Sequence, residues 1–225
     1  MNIFKNKIAL ITGHTGFKGS WLAVWLESLG AQVVGVALDP PSQPSHFEVA
    51  GISEILEDNR VDIRNSEALK GLVSQTQPDF VFHLAAQALV RQSYDDPVTT
   101  YHTNAIGTLN LLEALRSMKK KCTAVLITSD KCYNNVEWVW GYRETDVLGG
   151  PDPYSASKGV AELVIRSHVK SFFPKDGAVR IAIGRAGNVI GGGDWAQDRI
   201  IPDCVCSWAK GDSVQLRNPL ATRPW

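Results

Sequence analysis

The sequence predicts an α/β protein built on a doubly wound parallel sheet, followed by the beginning of a smaller substrate-binding region. Short apolar runs alternate with stretches of helical periodicity, and the first run leads directly into a glycine-rich turn. These runs are rich in β-branched residues, which is typical of strands buried on both faces of a sheet. They occupy residues 7–12, 31–38, 79–85, 122–128 and 179–184.

Three other stretches have the apolar periodicity of helices: residues 18–29, a stretch that follows Pro97, and a stretch from about residue 153 to residue 172. The apolar positions are Trp21, Leu22, Trp25, Leu26 and Leu29 in the first stretch and Ile106, Leu109, Leu112, Leu115 and Met118 in the second. Because strands and helices alternate through short connections, we expect right-handed crossovers between parallel strands.

Composition and charge argue against several classes of function. The 225 residues include 23 basic and 23 acidic side chains, and this balance does not favour nucleic acid or an anionic membrane as a partner. No apolar stretch approaches the roughly 18 residues of a membrane helix, and the first run is too short for a signal peptide. The four cysteines and five histidines show no metal-ligand spacing. We therefore expect a cytoplasmic protein without a metal site.

The glycine-rich turn indicates a dinucleotide-binding site. Its glycines, Gly13, Gly16 and Gly19, are three residues apart and stand between the first predicted strand and the first predicted helix. Such a turn lets the backbone approach a diphosphate and presents the N–H groups of the helix to it. The alternative is a plain tight turn, but this position in the chain favours a cofactor. The candidate cofactor-binding residues here are Gly13, Thr15, Gly16, Phe17, Lys18 and Gly19.

The residue after the second predicted strand favours NAD over NADP. Asp39 lies 20 residues after Gly19, where a carboxylate accepts hydrogen bonds from the ribose hydroxyls and repels a 2′-phosphate. No Arg or Lys lies between Lys18 and Arg60 to receive such a phosphate. Asp39 could instead be a turn residue before two prolines. Further along the chain, Asp62 follows the third strand region and is a candidate for contact with the adenine edge, and the backbone of Ile63 is another.

The composition changes at about residue 187, where glycines and polar residues become frequent. We therefore predict an NAD-binding sheet domain in residues 1–186 and the start of a substrate-binding region in residues 187–225. The chain ends at Trp225 without a closing element, so we expect the second region to be incomplete.

Two groups of polar residues are candidates for catalysis. Tyr154 and Lys158 are four residues apart and share a helical face, where the Lys charge can stabilise a phenolate. Ser129, Asp130 and Lys131 follow the strand at residues 122–128, and ligands of parallel sheets bind beyond such strand ends. Each group alone could have a purely structural role, the first on a solvated helix face and the second at a polar strand end. The two groups together, after the glycine-rich turn, favour an active site.

The sequence resembles the extended short-chain dehydrogenase/reductases that act on sugar nucleotides. The segments TGHTGFKGS, HLAAQ, TNAIGTLNLLEA, TSDKCY and YSASK match the landmarks of this family in order over essentially the whole chain. An acid after the active-site Ser, here Asp130, marks the hexose 4,6-dehydratases within the family. Where dTDP-glucose dehydratases continue with Glu, this chain has Lys131, and together with GGGDWAQDRIIPD and LRNPLATRPW this resembles the branch that acts on CDP-glucose.

The resemblance implies a chemical role for each candidate. Tyr154 takes the proton of the sugar C4 hydroxyl, Ser129 binds the same oxygen, and Lys158 holds the nicotinamide ribose. Asp130 protonates the departing C6 hydroxyl as a general acid. Lys131 is either the base at C5, in its neutral form, or leaves that role to another group. The product is a 4-dehydro-6-deoxy sugar nucleotide of the kind used in lipopolysaccharide biosynthesis.

The resemblance also assigns further residues by motif. Ala85, Ala86, Gln87 and Asn104 would lie near the cofactor, and Asn188, Arg199 and Arg223 would hold the nucleotide diphosphate. The alternative, purely structural roles are a helix cap for Gln87, a turn residue for Asn188 and surface charges for the two arginines. The resemblance further implies a homodimer. Competing interpretations of function are a sugar-nucleotide 4-epimerase or reductase, and a truncated NAD-binding protein without catalysis.

Overall fold

A single parallel sheet forms the centre of the protein. The computed structural model describes residues 2–196, 198–216 and 219–220. The strands are β1 (Ile8–Thr12), β2 (Gln32–Ala37), β3 (Glu57–Arg60), β4 (Phe80–His83), β5 (Cys122–Ser129) and β6 (Val179–Ala186). They lie in the order β3-β2-β1-β4-β5-β6, and all five pairings are parallel. The predicted doubly wound sheet is confirmed.

Helices pack on both faces of the sheet. They are α1 (Phe17–Ser28), α2 (His46–Val49), α3 (Ser66–Thr76), α4 (Val90–Asp95), α5 (Pro97–Tyr101), α6 (Gly107–Arg116), α7 (Pro153–Phe172) and α8 (Ile200–Ala209). A π-helical turn at His102–Ile106 joins α5 to α6 without interruption. The three predicted helices therefore correspond to α1, to the continuous segment from α5 to α6, and to α7.

The two faces of the sheet bury separate apolar clusters. On β1, Leu10 points into the cluster that includes Leu112 and Ile165, whereas its neighbour Ile11 belongs to the cluster that includes Leu26 and Phe47. Alternate residues of a strand point to opposite faces. A strand covered on both sides is therefore apolar at consecutive positions, which explains why β1 reads as an unbroken apolar run.

Strand β3 lies where we expected a third strand region before Asp62, although it was not among the apolar runs. Its sequence is Glu-Asp-Asn-Arg, and three of its four residues are exposed because β3 is an edge strand. An exposed edge strand needs no apolar run, so hydrophobic periodicity could not reveal it.

The chain reverses its direction of winding between β1 and β4. These strands are neighbours, and the segments that follow them lead toward opposite sides of the sheet. In sheets of this kind the crevice beyond the carboxyl ends at such a switch point is where ligands bind. Strand β6 ends at Ala186, and the domain boundary near residue 187 stays a prediction. Within the described part of the chain, no helix has the length and apolarity needed to cross a bilayer.

We expect Val81→Ala to lower the free energy of unfolding by about 2 kcal/mol, because it removes two buried carbons and leaves a cavity. Val81 lies on β4 and is 0% exposed. The matched control is Val49→Ala on α2, where the side chain is 68% exposed and the change should stay within about 0.5 kcal/mol. Urea denaturation followed by tryptophan fluorescence measures both, and equal effects would contradict the assignment of Val81 to the core.

Candidate active site

The glycine-rich turn forms a cradle that side chains would fill. Gly13 has a φ of +79°, and a Cβ on it would lie 2.7 Å from the backbone nitrogen of Ala85. A Cβ on Gly19 would overlap the carbonyl oxygen of Gly13. Gly16 is the N-cap of α1 and provides no side-chain cap, so the first N–H groups of the helix lack partners within it. The cradle therefore fits the diphosphate of a dinucleotide.

The two side chains at the centre of the turn fasten it to the neighbouring strands. Thr15 donates a hydrogen bond from its hydroxyl to the carbonyl oxygen of Leu38, at 3.0 Å. The His14 ring is buried, with Nε2 2.9 Å from Oδ1 of Asp58 on β3. Burial lowers the pKa of His14, although the hydrogen bond with Asp58 opposes this change. Sequence analysis did not identify His14 as a contact between the turn and the sheet edge.

The structure corrects one expectation about Asp39. Its side chain is 94% exposed at the end of β2, as a ribose-binding carboxylate requires, but a cation does lie beside it. In the register of β2 and β3, Ala37 pairs with Arg60, and Nη1 of Arg60 lies 3.4 Å from Oδ1 of Asp39. The absence of basic residues between positions 18 and 60 of the chain does not exclude one that the sheet brings back to this point.

Asp62 and Ile63, expected at the adenine edge, make contacts within the protein. Asp62 accepts hydrogen bonds from Nε and Nη2 of Arg64, at 2.9 and 2.6 Å, and these bonds lower the pKa of the Asp62 carboxyl. The Ile63 side chain is buried against Gly107, and its carbonyl oxygen accepts a hydrogen bond from Asn110. Both residues follow β3, beside the cradle.

A buried histidine joins β1 to the helix segment behind the crevice. His83 lies between the hydroxyls of Thr12, at 2.6 Å, and Thr108, at 2.9 Å. Because Thr108 donates its own proton to the carbonyl oxygen of Asn104, Nε2 of His83 is the donor and Nδ1 accepts from Thr12. Complete burial lowers the pKa of His83 to about 3, so the ring is neutral. Thr12 in turn accepts a hydrogen bond from the backbone N–H of Ala85.

The loop after β4 contains Ala85, Ala86 and Gln87, and Asn104 holds it in place. Asn104 accepts from the backbone N–H of Gln87, at 2.9 Å, and donates to its carbonyl oxygen, at 3.1 Å. The same amide donates to the hydroxyl of Ser157 on α7. The Gln87 side chain bonds both backbone groups of Leu89, the residue just before α4, and does not cap the N–H groups of that helix. Asn104 thus connects the cradle side of the site to α7.

The catalytic candidates at the end of β5 form one local group. The hydroxyl of Ser129 donates to Oδ1 of Asp130, at 2.9 Å, and accepts from the backbone N–H of Lys131, at 3.2 Å. These contacts make a short 3₁₀ turn at Asp130–Cys132. Ser129 is buried and Asp130 is half-buried, whereas the Lys131 side chain is exposed.

The first turns of α7 carry the other two catalytic candidates. Asp152 caps the helix by accepting from the backbone N–H of Ser155, and Pro153 occupies the first helical position. This start places Tyr154 and Lys158 one turn apart, with Nζ of Lys158 5.8 Å from the centre of the Tyr154 ring. Both side chains are buried.

Three cations share the electrostatic field of this site. Burial lowers the pKa of Lys158 to about 8, and the charge of Lys18 on α1 contributes to that shift. The pKa of Lys18 is itself lowered by burial and then by Arg199, while Asp130 opposes the change. Lys18 of the glycine-rich turn therefore interacts electrostatically with the group of catalytic candidates, and its role toward a cofactor stays a prediction. An excess of positive charge of this kind suits an anionic ligand.

The surroundings of the Tyr154 phenol raise its pKa. Burial raises its pKa and Asp130 adds to the rise, whereas a hydrogen bond with Ser129 and the charge of Arg199 oppose it. Further positive charge or hydrogen-bond donors close to the phenol oxygen would lower this pKa.

One buried network beneath the site was missed from the sequence. Glu162 lies one turn after Lys158 on α7 and accepts from Thr128, at 2.6 Å, and from Nε and Nη2 of Arg185 on β6, at 3.0 and 2.9 Å. The Arg185 guanidinium also lies over the ring of Tyr133, at 4.7 Å. The four-residue spacing from Lys158 was the available signal. This network connects the end of β5, α7 and β6 directly below the catalytic candidates.

The predicted diphosphate-binding residues have different surroundings. Arg199 precedes α8 and pairs with Asp194 at 3.0 Å, and Asn188 is exposed after β6. Arg223 lies outside the described residues. The neighbouring glycine segment is held by Trp21, whose indole N–H donates to the carbonyl oxygen of Gly192. In the described ranges, no three His, Cys, Asp or Glu side chains are grouped to hold a metal.

Comparisons with known proteins agree with this geometry. The chain is 50% identical over its whole length to CDP-glucose 4,6-dehydratase of Salmonella typhimurium, and it spans 64% of that protein. It is 30% identical over 91% of its length to dTDP-D-glucose 4,6-dehydratase of Dictyostelium discoideum, of which it spans 48%.

Solved structures show the same fold. UDP-glucose 4-epimerase from Thermotoga maritima superimposes with a TM-score of 0.79 at 24% identity, over 94% of this chain and 66% of the epimerase. For dTDP-glucose 4,6-dehydratase from Streptomyces venezuelae the TM-score is 0.78 at 23% identity, over 91% of this chain and 62% of that protein. The family model of GDP-mannose 4,6 dehydratase matches residues 10–225. The chain therefore belongs to the GDP-mannose 4,6 dehydratase family.

Proposed function

We propose that the protein is a hydro-lyase that converts CDP-D-glucose to CDP-4-dehydro-6-deoxy-D-glucose with NAD as its cofactor. The observation that carries the proposal is the position of Asp130, next to Ser129 and in the same electrostatic field as Tyr154 and Lys18. The identity of 50% to a CDP-glucose 4,6-dehydratase supports CDP-glucose as the substrate. The printed description of the Streptomyces dehydratase, with NAD bound, supports the cofactor.

The residues of the cradle and of α7 have distinct roles toward the cofactor. The N–H groups at the start of α1 bind the diphosphate, Asp39 accepts hydrogen bonds from the adenosine ribose, and Lys158 holds the nicotinamide ribose. When bound, NAD would supply reversible hydride transfer: the hydride taken from C4 of the sugar is later delivered to C6 while a proton returns to C5, so that the reaction involves no net oxidation. Buried hydrogen bonds join His83 on β4 to Thr108 on α6 and Asn104 to Ser157 on α7. These bonds fix the elements that surround the proposed cofactor site.

The proposed proton transfers involve Tyr154, Ser129 and Asp130, together with a base at C5. Tyr154, as phenolate, removes the proton of the sugar C4 hydroxyl, and the Ser129 hydroxyl binds the same oxygen during that step. Asp130, in its protonated form, donates to the C6 oxygen as the C6–O bond breaks, so that water rather than hydroxide departs. The proton at C5 is removed either by the neutral amine of Lys131 or by another base of the site. Because the Lys131 side chain is exposed, Lys131 can be this base only if the bound substrate covers it.

The setting of this reaction follows from the substrate. We propose a cytoplasmic enzyme of deoxysugar biosynthesis of the lipopolysaccharide type, acting on a soluble nucleotide sugar without nucleic acid or membrane as a partner. Zero net charge agrees with this setting.

We further propose a homodimer formed through the segment from α5 to α6 and through α7. Large apolar side chains of these elements remain exposed on the single chain, namely Ile106, Val160, Leu163 and Phe172. A second copy of the same surface would remove them from water.

The first test of the function separates Asp130 from Tyr154. We expect Asp130→Asn to lower turnover of CDP-glucose by about 10²- to 10⁴-fold, because elimination proceeds without its general acid. Oxidation at C4 needs no acid at C6, so mixing this variant with CDP-glucose should produce the near-ultraviolet absorbance of reduced nicotinamide. Tyr154→Phe should block the first step and produce no such absorbance.

The control for this comparison is Asp176→Asn, an exposed carboxylate after α7, which should leave turnover unchanged. If both active-site variants stop without reduced nicotinamide, Asp130 serves binding or oxidation. A 4-epimerase or reductase would then explain the site better than a dehydratase.

A second prediction concerns the buried ammonium of Lys158. Its pKa is lowered to about 8, so between that pH and the ordinary pKa of lysine the folded chain binds fewer protons than the unfolded chain. Stability of the wild type therefore rises with pH through this window, by at most about 1.4 kcal/mol per pH unit. Lys158→Met lacks this rise, so its stability advantage should be greatest below pH 8 and shrink above it.

Urea denaturation without nucleotide, repeated at several pH values, measures the effect of Lys158→Met. The same substitution at the exposed Lys70 of α3 is the control. A difference between wild type and Lys158→Met that does not change with pH would contradict the lowered pKa.

The dimer is tested by adding a charge to its expected surface. Leu163 on α7 is 56% exposed, and we expect Leu163→Glu to convert the dimer to monomer because a carboxylate would be buried opposite its own copy. Val139→Glu, at a position that is 91% exposed in the loop after β5, should leave the dimer intact. Sedimentation velocity distinguishes the species, and a dimeric Leu163→Glu variant would refute this interface.

A further inference from the structure

The adenosine end of the cradle contains a cation that belongs to no motif of the sequence. Arg60 is the last residue of β3, and its pairing with Ala37 places it beside the end of β2. From there its Nη1 donates to the carbonyl oxygen of Leu38, at 3.0 Å, and lies 3.4 Å from Oδ1 of Asp39. Asp39 is the residue that we assign to the adenosine ribose, so the guanidinium lies at the edge of the ribose site.

The position of the guanidinium does not depend on Asp39. Nε and Nη2 of Arg60 both donate to Oδ2 of Asp58, at 3.2 and 2.8 Å, and the guanidinium carbon lies 5.0 Å from the centre of the Phe47 ring. The contact with Asp39 is longer, and an ion pair with so exposed a carboxylate contributes little to holding the guanidinium. Loss of the Asp39 carboxylate should therefore leave Arg60 where it is.

Asp58 is itself fixed from the other side. Its Oδ1 lies 2.9 Å from Nε2 of the buried His14, so the carboxylate bridges the glycine-rich turn and Arg60. With His14 neutral, the local charges are those of Asp39, Asp58 and Arg60, which sum to about −1. This net charge disfavours a further phosphate for as long as Asp39 is present.

We propose that Arg60 is the cation of a subsite for a phosphate on the 2′-oxygen of the adenosine ribose, and that the Asp39 carboxylate occupies this subsite. The planar guanidinium is the side-chain group best suited to phosphate oxygens. The preference for NAD then resides in one exposed carboxylate, and the protein needs no new cation to accept NADP. This inference rests on the proposed NAD site and is independent of the dehydration reaction.

The test is nucleotide binding by calorimetry without sugar nucleotide, using NAD, NADP, ADP and adenosine 2′,5′-bisphosphate. Wild type should bind NAD more tightly than NADP. In Asp39→Asn, the affinity for both 2′-phosphorylated ligands should rise by about 10- to 100-fold, since a charge-assisted contact contributes about 1.5–3 kcal/mol. Adding Arg60→Gln to Asp39→Asn should abolish this gain, and adding Arg60→Lys should retain part of it, because the charge remains without the planar fork.

Three outcomes would overturn the inference. One is that Asp39→Asn gains no affinity for the 2′-phosphorylated ligands. Another is that the gain persists with Arg60→Gln, in which case Asp39 acts through repulsion alone. Circular dichroism of each variant establishes that it is folded. If Arg60→Gln does not fold, the affinities of Arg60→Lys for the 2′-phosphorylated ligands still test the role of Arg60. If wild type binds none of the four nucleotides, the proposed NAD site itself fails and the Arg60 subsite falls with it.

Discussion

The close approach of two backbone segments is the constraint on which the site depends. Gly13 and Ala85 follow neighbouring strands, and their main chains lie so close that a single Cβ on Gly13 would collide with Ala85. Hydrogen bonds extend this contact: Thr12 bonds Ala85 and His83, and the loop after β4 reaches Ser157 of α7 through Asn104. The cradle and the helix that carries Tyr154 are thus connected through groups whose protons are all accounted for. Such a framework positions catalytic side chains within narrow limits.

Burial has opposite consequences for the two parts of the catalytic pair. It removes the Lys158 ammonium from water and lowers its pKa, while it raises the pKa of the Tyr154 phenol. Both shifts favour the neutral form of the group. Positive charge close to the phenol would oppose the rise in its pKa, and negative charge close to the ammonium would oppose the fall in its pKa. The proposed role of Tyr154 as a base therefore calls for further positive charge beside its oxygen.

The sequence could predict the features that depend on residues close together in the chain, but not those that depend on contacts between distant segments. Strands β1, β2, β4, β5 and β6 are apolar runs, and the cradle and the start of α7 are contiguous motifs, so pattern and spacing sufficed for them. Strand β6 is nevertheless only partly buried, because it lies at an edge of the sheet. Strand β3 has no apolar run because its exposed edge carries polar residues, so only its place before Asp62 indicated it. The contact between Arg60 and Asp39 depends on the register of β2 and β3, which no one-dimensional count contains. Glu162 and Arg185 meet across α7 and β6 for the same reason, so their pairing could be found only in the folded chain.

Two arginine–carboxylate contacts near the site differ in burial. The buried contact stabilises the fold, whereas the exposed contact is accessible to a ligand. The Glu162–Arg185 pair is buried beneath the catalytic residues, and removal of one partner from such a pair costs about 3–5 kcal/mol because a charge is left unpaired. The Asp39–Arg60 pair is exposed, long and weak, although the arginine itself is held by Asp58. A ligand could therefore replace Asp39 as the partner of Arg60 at little cost, whereas separating Glu162 from Arg185 would leave a buried charge unpaired. The first pair thus stabilises the structure beneath the proposed catalytic residues. On our proposal, the second pair decides which cofactor is preferred, and a single surface substitution would change that preference.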